Sequence, residues 1–221
     1  MKTQWLILLI AGIVAVLGLV LALAFRKGPD LSAYLPLKEP RIARRPSERV
    51  LEVEFSGPAD TVIKKAYSVL FKAYFSLKGS PTGPAMKAPK ARYWVSAAND
   101  EANEKRLKEF LAHDWKGSVA IPIPESLVVA ESKPDAEGLR ARAAAWDYGE
   151  VAEILHIGSY ETEPPTIAKL EEYIRARGYR IVRDRGEEYL HEEEYLKGPG
   201  MALVRPKDYW TIIRYRVEKA D

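Results

Sequence analysis

Titratable side chains crowd into one stretch of the sequence, Glu187-Glu-Tyr-Leu-His-Glu-Glu-Glu-Tyr195. Read as a strand, it alternates so that Glu188 and Leu190 share one face while Glu187, Tyr189 and His191 share the other. Glu187 and Glu188 therefore cannot both line one pocket. The segment from His191 falls one residue short of the His-Glu-x-x-His helix of zinc proteases, because position 195 is Tyr. With three histidines in the chain and no second ligand near this one, no metal site is expected. Gly198-Pro-Gly200 is too short to cradle a phosphate, and there is neither a Gly-rich nucleotide motif nor a serine nucleophile elbow. No cofactor is expected.

The other side chains suited to ligand chemistry are aromatic. Trp94, Trp115, Trp146, Tyr148, Tyr160 and Trp210 each offer a flat face, and Tyr and Trp add one polar handle, which suits planar organic molecules. Core packing would use the same residues, so both readings stand for each.

Composition narrows the classes. The chain has 221 residues, 47% hydrophobic and 29% charged, with no cysteine. That excludes disulfide staples, thiolate metal sites, a cysteine nucleophile and wholesale disorder. Net charge is +3, and the first 27 residues carry Lys2, Arg26 and Lys27 without an acid, so the remainder sums to zero. A neutral domain lacks the clustered basic surface that nucleic acid requires, and no nucleic-acid partner is expected. Trp5 to Phe25 runs twenty-one residues without a charge. As a helix it would be about 31 Å long, the thickness of a hydrocarbon core. The sequence reads as a single-pass membrane anchor, with a cleaved signal peptide as the alternative because Ala22-Leu-Ala24 has the small-x-small form. The basic residues that follow, among them Arg41, Arg44 and Arg45, place the domain on the cytoplasmic side under the positive-inside rule.

The elements that position these side chains follow from periodicity. Residues 1–27 form the anchor, and residues 28–47, rich in Pro and Arg, read as a linker. Residues 48–221 form the domain. Within it Arg49-Val-Leu-Glu-Val-Glu-Phe-Ser-Gly57 aligns with Glu150-Val-Ala-Glu-Ile-Leu-His-Ile-Gly158 at an offset of 101. Each copy alternates as a strand, with Leu51, Val53 and Phe55 matched by Ala152, Ile154 and His156. A helix is expected after each, over 59–77 and over 164–177, the second opening on Pro164-Pro165 and stopping at Gly178. Returning strands are expected near 85–87, 118–123, 179–183, 187–191 and 210–217. A bridging strand is expected at 127–131, and an inserted helix at 99–113. The fold class is α+β, built from duplicated β-α-β-β units behind one N-terminal transmembrane helix. Trp146 and Tyr148 flank the entry to the second unit, where the halves should meet in a groove.

This order of features resembles the GyrI-like small-molecule-binding family. The residues that carry the likeness are Phe55-Ser-Gly-Pro58, Gly117 to Ile123, His156-Ile-Gly-Ser-Tyr160, Glu188-Tyr-Leu190 and a closing strand opening with Thr211. They cover residues 48–219. The layout also resembles the family's membrane-anchored members, including a receptor that continues into an acidic tail. This sequence stops at Asp221, so the receptor role is not carried over. The resemblance implies that Glu188 matches a pocket glutamate, a carboxylate among apolar walls that is costly to keep ionised unless a ligand relieves it. A solvated place in the acidic run is the alternative. Ile212 stands where many relatives have a second acid, which argues against a two-carboxylate pocket on the closing strand.

The leading expectation is a membrane-anchored domain that binds a small, apolar or planar organic ligand in the groove between its halves. Its expected ligand-binding residues are Glu188, Tyr189, Trp146, Tyr148, Tyr160 and Trp210. One alternative is a hydrolase of electrophilic small molecules using Glu188 as general base, an activity that the resemblance implies for some members. The other is an adaptor holding a protein partner at the membrane, since one fold hosts many functions.

Overall fold

The structure is a computed structural model that describes residues 30–96, 114–130, 132–136, 138–199, 201 and 204–220. The expected anchor and the expected helix at 99–113 lie outside these residues. Among the described residues no helix is long and apolar enough to cross a membrane.

The strands are β1 (Arg41–Arg45), β2 (Glu48–Pro58), β3 (Lys90–Ser96), β4 (Asp114–Pro122), β5 (Ala141–Trp146), β6 (Gly149–Ile157), β7 (Tyr179–Ile181), β8 (Glu188–Lys197) and β9 (Trp210–Lys219). Helix α1 (Ala59–Ser76) follows β2, and α2 (Pro164–Ala176) follows β6. All pairings are antiparallel, in the order β1-β6-β9-β8-β3-β4-β2-β5, with β7 attached to β9. The expected duplication is present, because β2-α1-β3-β4 and β6-α2-β8-β9 occupy equivalent places. The halves join where β3 meets β8, with Tyr93 opposite His191.

Connection lengths determine the shape of this sheet. Only Pro46 and Ser47 separate β1 from β2, and only Asp147 and Tyr148 separate β5 from β6. Each pair nevertheless lies six places apart in the strand order. In a flat sheet that is about 29 Å at ~4.8 Å per strand, whereas three Cα steps reach about 11 Å. The sheet must curl until its ends approach. Accordingly Val50 of β2 and Val151 of β6 share a buried cluster with Ala120, Trp146 and Tyr148.

Alternation then gives the curled sheet two unlike faces. On the outer face Val62, Ala66, Leu70 and Tyr74 recur every four residues along α1 and bury against Leu51, Val53, Phe55, Val119 and Ile121. Leu170 and Ile174 of α2 do the same against Ala152, Ile154 and Ile213. Gly178, at φ +71°, ends α2 in the left-handed conformation open to glycine.

The inner face is ionic. Arg214, 1% exposed, reaches Glu153 at 2.9 Å, Glu194 at 3.0 Å and Glu192. Arg41 and Arg45 each bind Glu153 at 2.8 Å, and Arg92 binds Glu192 at 2.7 Å while its guanidinium lies 3.9 Å from the Trp146 ring centroid. Lys90 pairs with Glu48 and bonds the Tyr148 hydroxyl at 3.1 Å. Burial works against ionisation of Glu153 and Glu192, but Arg214 and the neighbouring cations outweigh it and hold both carboxyls below their usual range.

Several expectations need correction. Residues 41–45 of the expected linker are edge strand β1. Their alternation went unread because the inward residues are arginines facing buried Glu153. The strand expected at 85–87 lies at Lys90–Ser96, and β8 runs on to Lys197 through the acidic run. Residues 127–130 form no regular strand. Leu127 and the preceding Pro124 and Glu125 instead give their carbonyls to Arg49.

Removing one partner of a buried ion pair costs about 3–5 kcal/mol. Arg214→Met, which takes from Glu153, Glu192 and Glu194 the buried guanidinium they share, should lower the melting temperature by roughly 6–20 °C at pH 7. Both carboxyls titrate below their unfolded value in the wild type, so the stability they add is present above pH 4.5 and lost as pH falls. The deficit of the variant should therefore shrink toward pH 4, as followed by circular dichroism melts at stepped pH.

Candidate functional site

Helix α1 packs mainly on β2 and β4, and α2 on β6 and β7, so the central strands β3 and β8 lie between the two helices. Their outer-face side chains include Tyr93 on β3 and His191, Glu193 and Tyr195 on β8. Tyr67 of α1 stands on one side, its ring 6.3 Å from that of Tyr195. Tyr160 stands on the other, 6.2 Å from Tyr195. Trp115 of β4 sits edge-on to Tyr93 at 5.0 Å. The result is a cluster of tyrosine rings over the two central strands, between the helices.

One carboxylate organises the floor. Glu193 accepts a hydrogen bond from the Tyr195 hydroxyl and lies 3.0 Å from His191 Nε2. His191 Nδ1 lies 2.9 Å from the Tyr215 hydroxyl, and the Tyr93 and Tyr195 hydroxyls are 2.9 Å apart. Burial, and then the negative charge of Glu193, hold the phenols of Tyr67, Tyr93, Tyr160 and Tyr195 above their ordinary range, so all four are O–H donors at neutral pH.

A second carboxyl faces this one. Glu163, directly before α2, is 6% exposed, and its Oε1 has no hydrogen-bond partner. Burial first, and the charge of Glu193 second, push its pKa up to about 10. Glu163 is thus a neutral acid at pH 7 with an O–H to offer, beside a carboxylate that accepts.

The turn that delivers Glu163 and Tyr160 is the motif His156-Ile-Gly-Ser-Tyr160. The buried His156 ring lies 2.9 Å from Thr166 Oγ1, 3.1 Å from the Ser159 carbonyl and 3.2 Å from Thr162 Oγ1. Burial lowers its pKa against the pull of that carbonyl and of Glu193, which keeps the ring a neutral strut. Gly158 closes the turn at φ +150°, where a Cβ would lie 2.6 Å from Thr162 Oγ1. The turn has no room for a side chain at that position.

The structure does not gather the expected site residues into one place. Tyr160 lines the groove. Tyr189 is on the same outer face but lies toward α2 and β7, its ring 5.7 Å from that of Tyr215. Trp146 and Tyr148 are buried on the inner face, where Trp146 Nε1 donates to Glu52 at 2.8 Å and the Tyr148 hydroxyl donates to Glu192 at 3.1 Å. Alternation puts Trp210 and Glu188 on that inner side too, with the Glu188 backbone closing a turn on Arg185 at 3.0 Å. Sequence reasoning passed over Glu193, Glu163, Tyr67, Tyr93 and Tyr195. The signal for two of them was present, because extending the alternation of Tyr189 and His191 leads to Glu193 and Tyr195. Nothing local marks Glu163.

No protein-family model and no curated protein matches the chain. Solved structures do resemble it. An uncharacterized conserved protein from Listeria innocua superposes with a TM-score of 0.60 at 20% identity, over 86% of this chain and 97% of that one. A hydrolase from Listeria innocua gives 0.59 at 16% identity, over 86% and 96%. The C-terminal domain of EcmrR gives 0.53 at 13% identity, over 82% and 98%. These likenesses support the GyrI-like resemblance at the level of the fold.

The raised pKa of Glu163 carries a consequence for stability. In the unfolded chain this group ionises near 4.5, and in the fold near 10, so the stability tied to it is fully present below pH 4.5 and lost as pH rises toward 10. Glu163→Gln keeps the shape without the charge. Its melting temperature should therefore rise relative to wild type between pH 5 and pH 8, and an unchanged difference across that range would refute the assignment.

Proposed function

We propose that the groove over β3 and β8 binds a small, planar organic molecule, with the tyrosines as walls and the Glu193–Glu163 pair as its polar contact. The observation that carries this reading is a neutral Glu163, buried with an unpartnered oxygen, beside Glu193 and a cluster of four tyrosines. A buried polar atom without a partner is costly, and a ligand that supplies one recovers that cost. The GyrI-like resemblance, which the solved structures support at the level of the fold, implies the same class. The carboxylate role expected of Glu188 passes to Glu193, because Glu193 shares a face with the aromatic walls.

The same pair favours a second reading. Two neighbouring carboxyls held in different protonation states are a division of labour for acid–base chemistry. In hydrolysis of a strained electrophile, Glu193 would accept a proton from water as the water oxygen bonds to carbon, and Glu163 would give its proton to the leaving atom. One of the Listeria innocua neighbours is a hydrolase. The domain would work at a membrane surface, held by the apolar segment Trp5 to Phe25.

The test is thermal unfolding of the full chain in mild detergent against planar cations, neutral aromatics and electrophiles. A ligand at a hundred times its dissociation constant adds about 2.7 kcal/mol, roughly 5–11 °C for a domain of this size. The shift should appear in wild type, fall in Glu193→Gln and Tyr160→Ala, and persist in Glu188→Gln. No shift with any class would refute the binding site. Turnover of the stabilising electrophile that is lost in Glu163→Gln, with binding kept, would select the hydrolase. Anchoring is tested separately: alkaline carbonate washing should leave the chain with membranes, and its release would refute the anchor.

A further inference from the structure

Away from the tyrosine groove, a cleft of about 450 Å³ opens between the C-terminal half of α2 and β7. That volume falls within the range of sites for small organic ligands, about 300–1,000 Å³. Its apolar surface comes from Ile174 of α2, Tyr179 and Ile181 of β7, and Tyr189 of β8. Tyr189, which the sequence singled out for ligand contact, thus lines this cleft.

The rim carries three guanidiniums, from Arg175, Arg180 and Arg183, together with the carboxylates of Glu171 and Glu218. Arg180 Nε is held by Glu218 at 2.9 Å, and Arg183 is paired with Glu187. Arg175 is exposed, and among the described residues no ion pair or hydrogen bond engages its guanidinium. Arg175 is thus the rim guanidinium with no carboxylate partner among the described residues, while Glu171 adds a carboxylate one helical turn before it. The α2 C-terminus places about half a negative charge nearby, which the full charge of Arg175 exceeds.

We propose that this cleft is a second binding site, for a small organic anion with an apolar body. The body lies on Ile174, Ile181 and Tyr189, and the anionic head meets Arg175 with support from Arg183. A guanidinium presents parallel donors to carboxylate or sulfonate oxygens and binds them more strongly than it binds a neutral acceptor. The site shares none of these residues with the Glu193 groove, so it stands or falls independently of the function proposed above.

Naphthalene-2-sulfonate is a suitable probe, with uncharged 2-naphthalenemethanol as its control, measured by calorimetry on the full chain. Saturable one-site binding of the sulfonate is expected, at least tenfold tighter than the alcohol and weakened by 0.5 M salt. Arg175→Gln and Arg183→Gln change exposed side chains, and a melt of each verifies its fold. Arg175→Gln should weaken the sulfonate at least tenfold and Arg183→Gln by less, while Glu193→Gln should leave it unchanged. If Arg175 serves only the helix end, its replacement will lower the melting temperature slightly and leave binding intact, which overturns the proposal. Absence of saturable binding, or loss in Glu193→Gln instead, overturns it equally.

Discussion

The curled sheet depends on Arg214. This side chain, almost wholly buried, spans from β9 to Glu153 on β6 and to Glu192 and Glu194 on β8. From Glu192 the network continues through Arg92 and Tyr148, and from Glu194 through Lys90 at 3.7 Å, into the first half of the duplication. A sheet whose ends must approach within two-residue connections needs something in its concave side that binds across strands. Here charges do so, each met by opposite charge or by an aromatic face. Such an interior is a weak source of net stability, because desolvation consumes most of the attraction. It is a demanding one in geometry, since each guanidinium is satisfied only when particular strands are in register.

That arrangement decides where a ligand can go. Filled by paired charges and the rings of Trp146 and Tyr148, the inner face leaves a space of about 10 Å³ beside Arg214 among the described residues, too small for an organic molecule. The outer face is different at its centre. Each helix covers its own half, and the duplication leaves the two middle strands between them. The floor of the groove is thus a product of symmetry, and its chemistry comes from whichever side chains β3 and β8 point outward. Here those are phenols, one imidazole, one carboxylate and the small apolar Ala91 and Val95.

Much of the architecture was legible because it rests on apolar periodicity. The offset of 101 between Leu51-Val53-Phe55 and Ala152-Ile154-His156 announced two equivalent halves, each with a helix after its first strand. The parts that escaped are those where polar residues are buried. β1 reads as a basic tether until Glu153 is known to lie behind it, 112 residues after Arg41. β8 reads as ending at His191 because four of the next six residues are polar or charged. Trp146 and Tyr148 were recognised as significant, but their partners, Glu52 and Lys90, lie 94 and 58 residues away in the chain. Long-range polar pairing leaves no periodic trace.

The three consecutive glutamates of β8 show how one strand divides its labour. Glu192 and Glu194 point inward, where Arg214 binds both and their charges serve the fold. Glu193, between them, points outward into a wall of tyrosines, where no guanidinium reaches it among the described residues and its contacts are His191 and the Tyr195 hydroxyl. Its charge is therefore felt by its surroundings, and it raises the pKa of Glu163 and of four phenols at once. A one-residue slip of β8 would exchange these roles, leaving Arg214 with one carboxylate of β8 beside Glu153 and sending two carboxylates of β8 to the outer face. The ion pairs on the inner face thus hold the register that presents a single carboxylate from β8 to the groove, and the function proposed for the outer face rests on the electrostatics of the inner one.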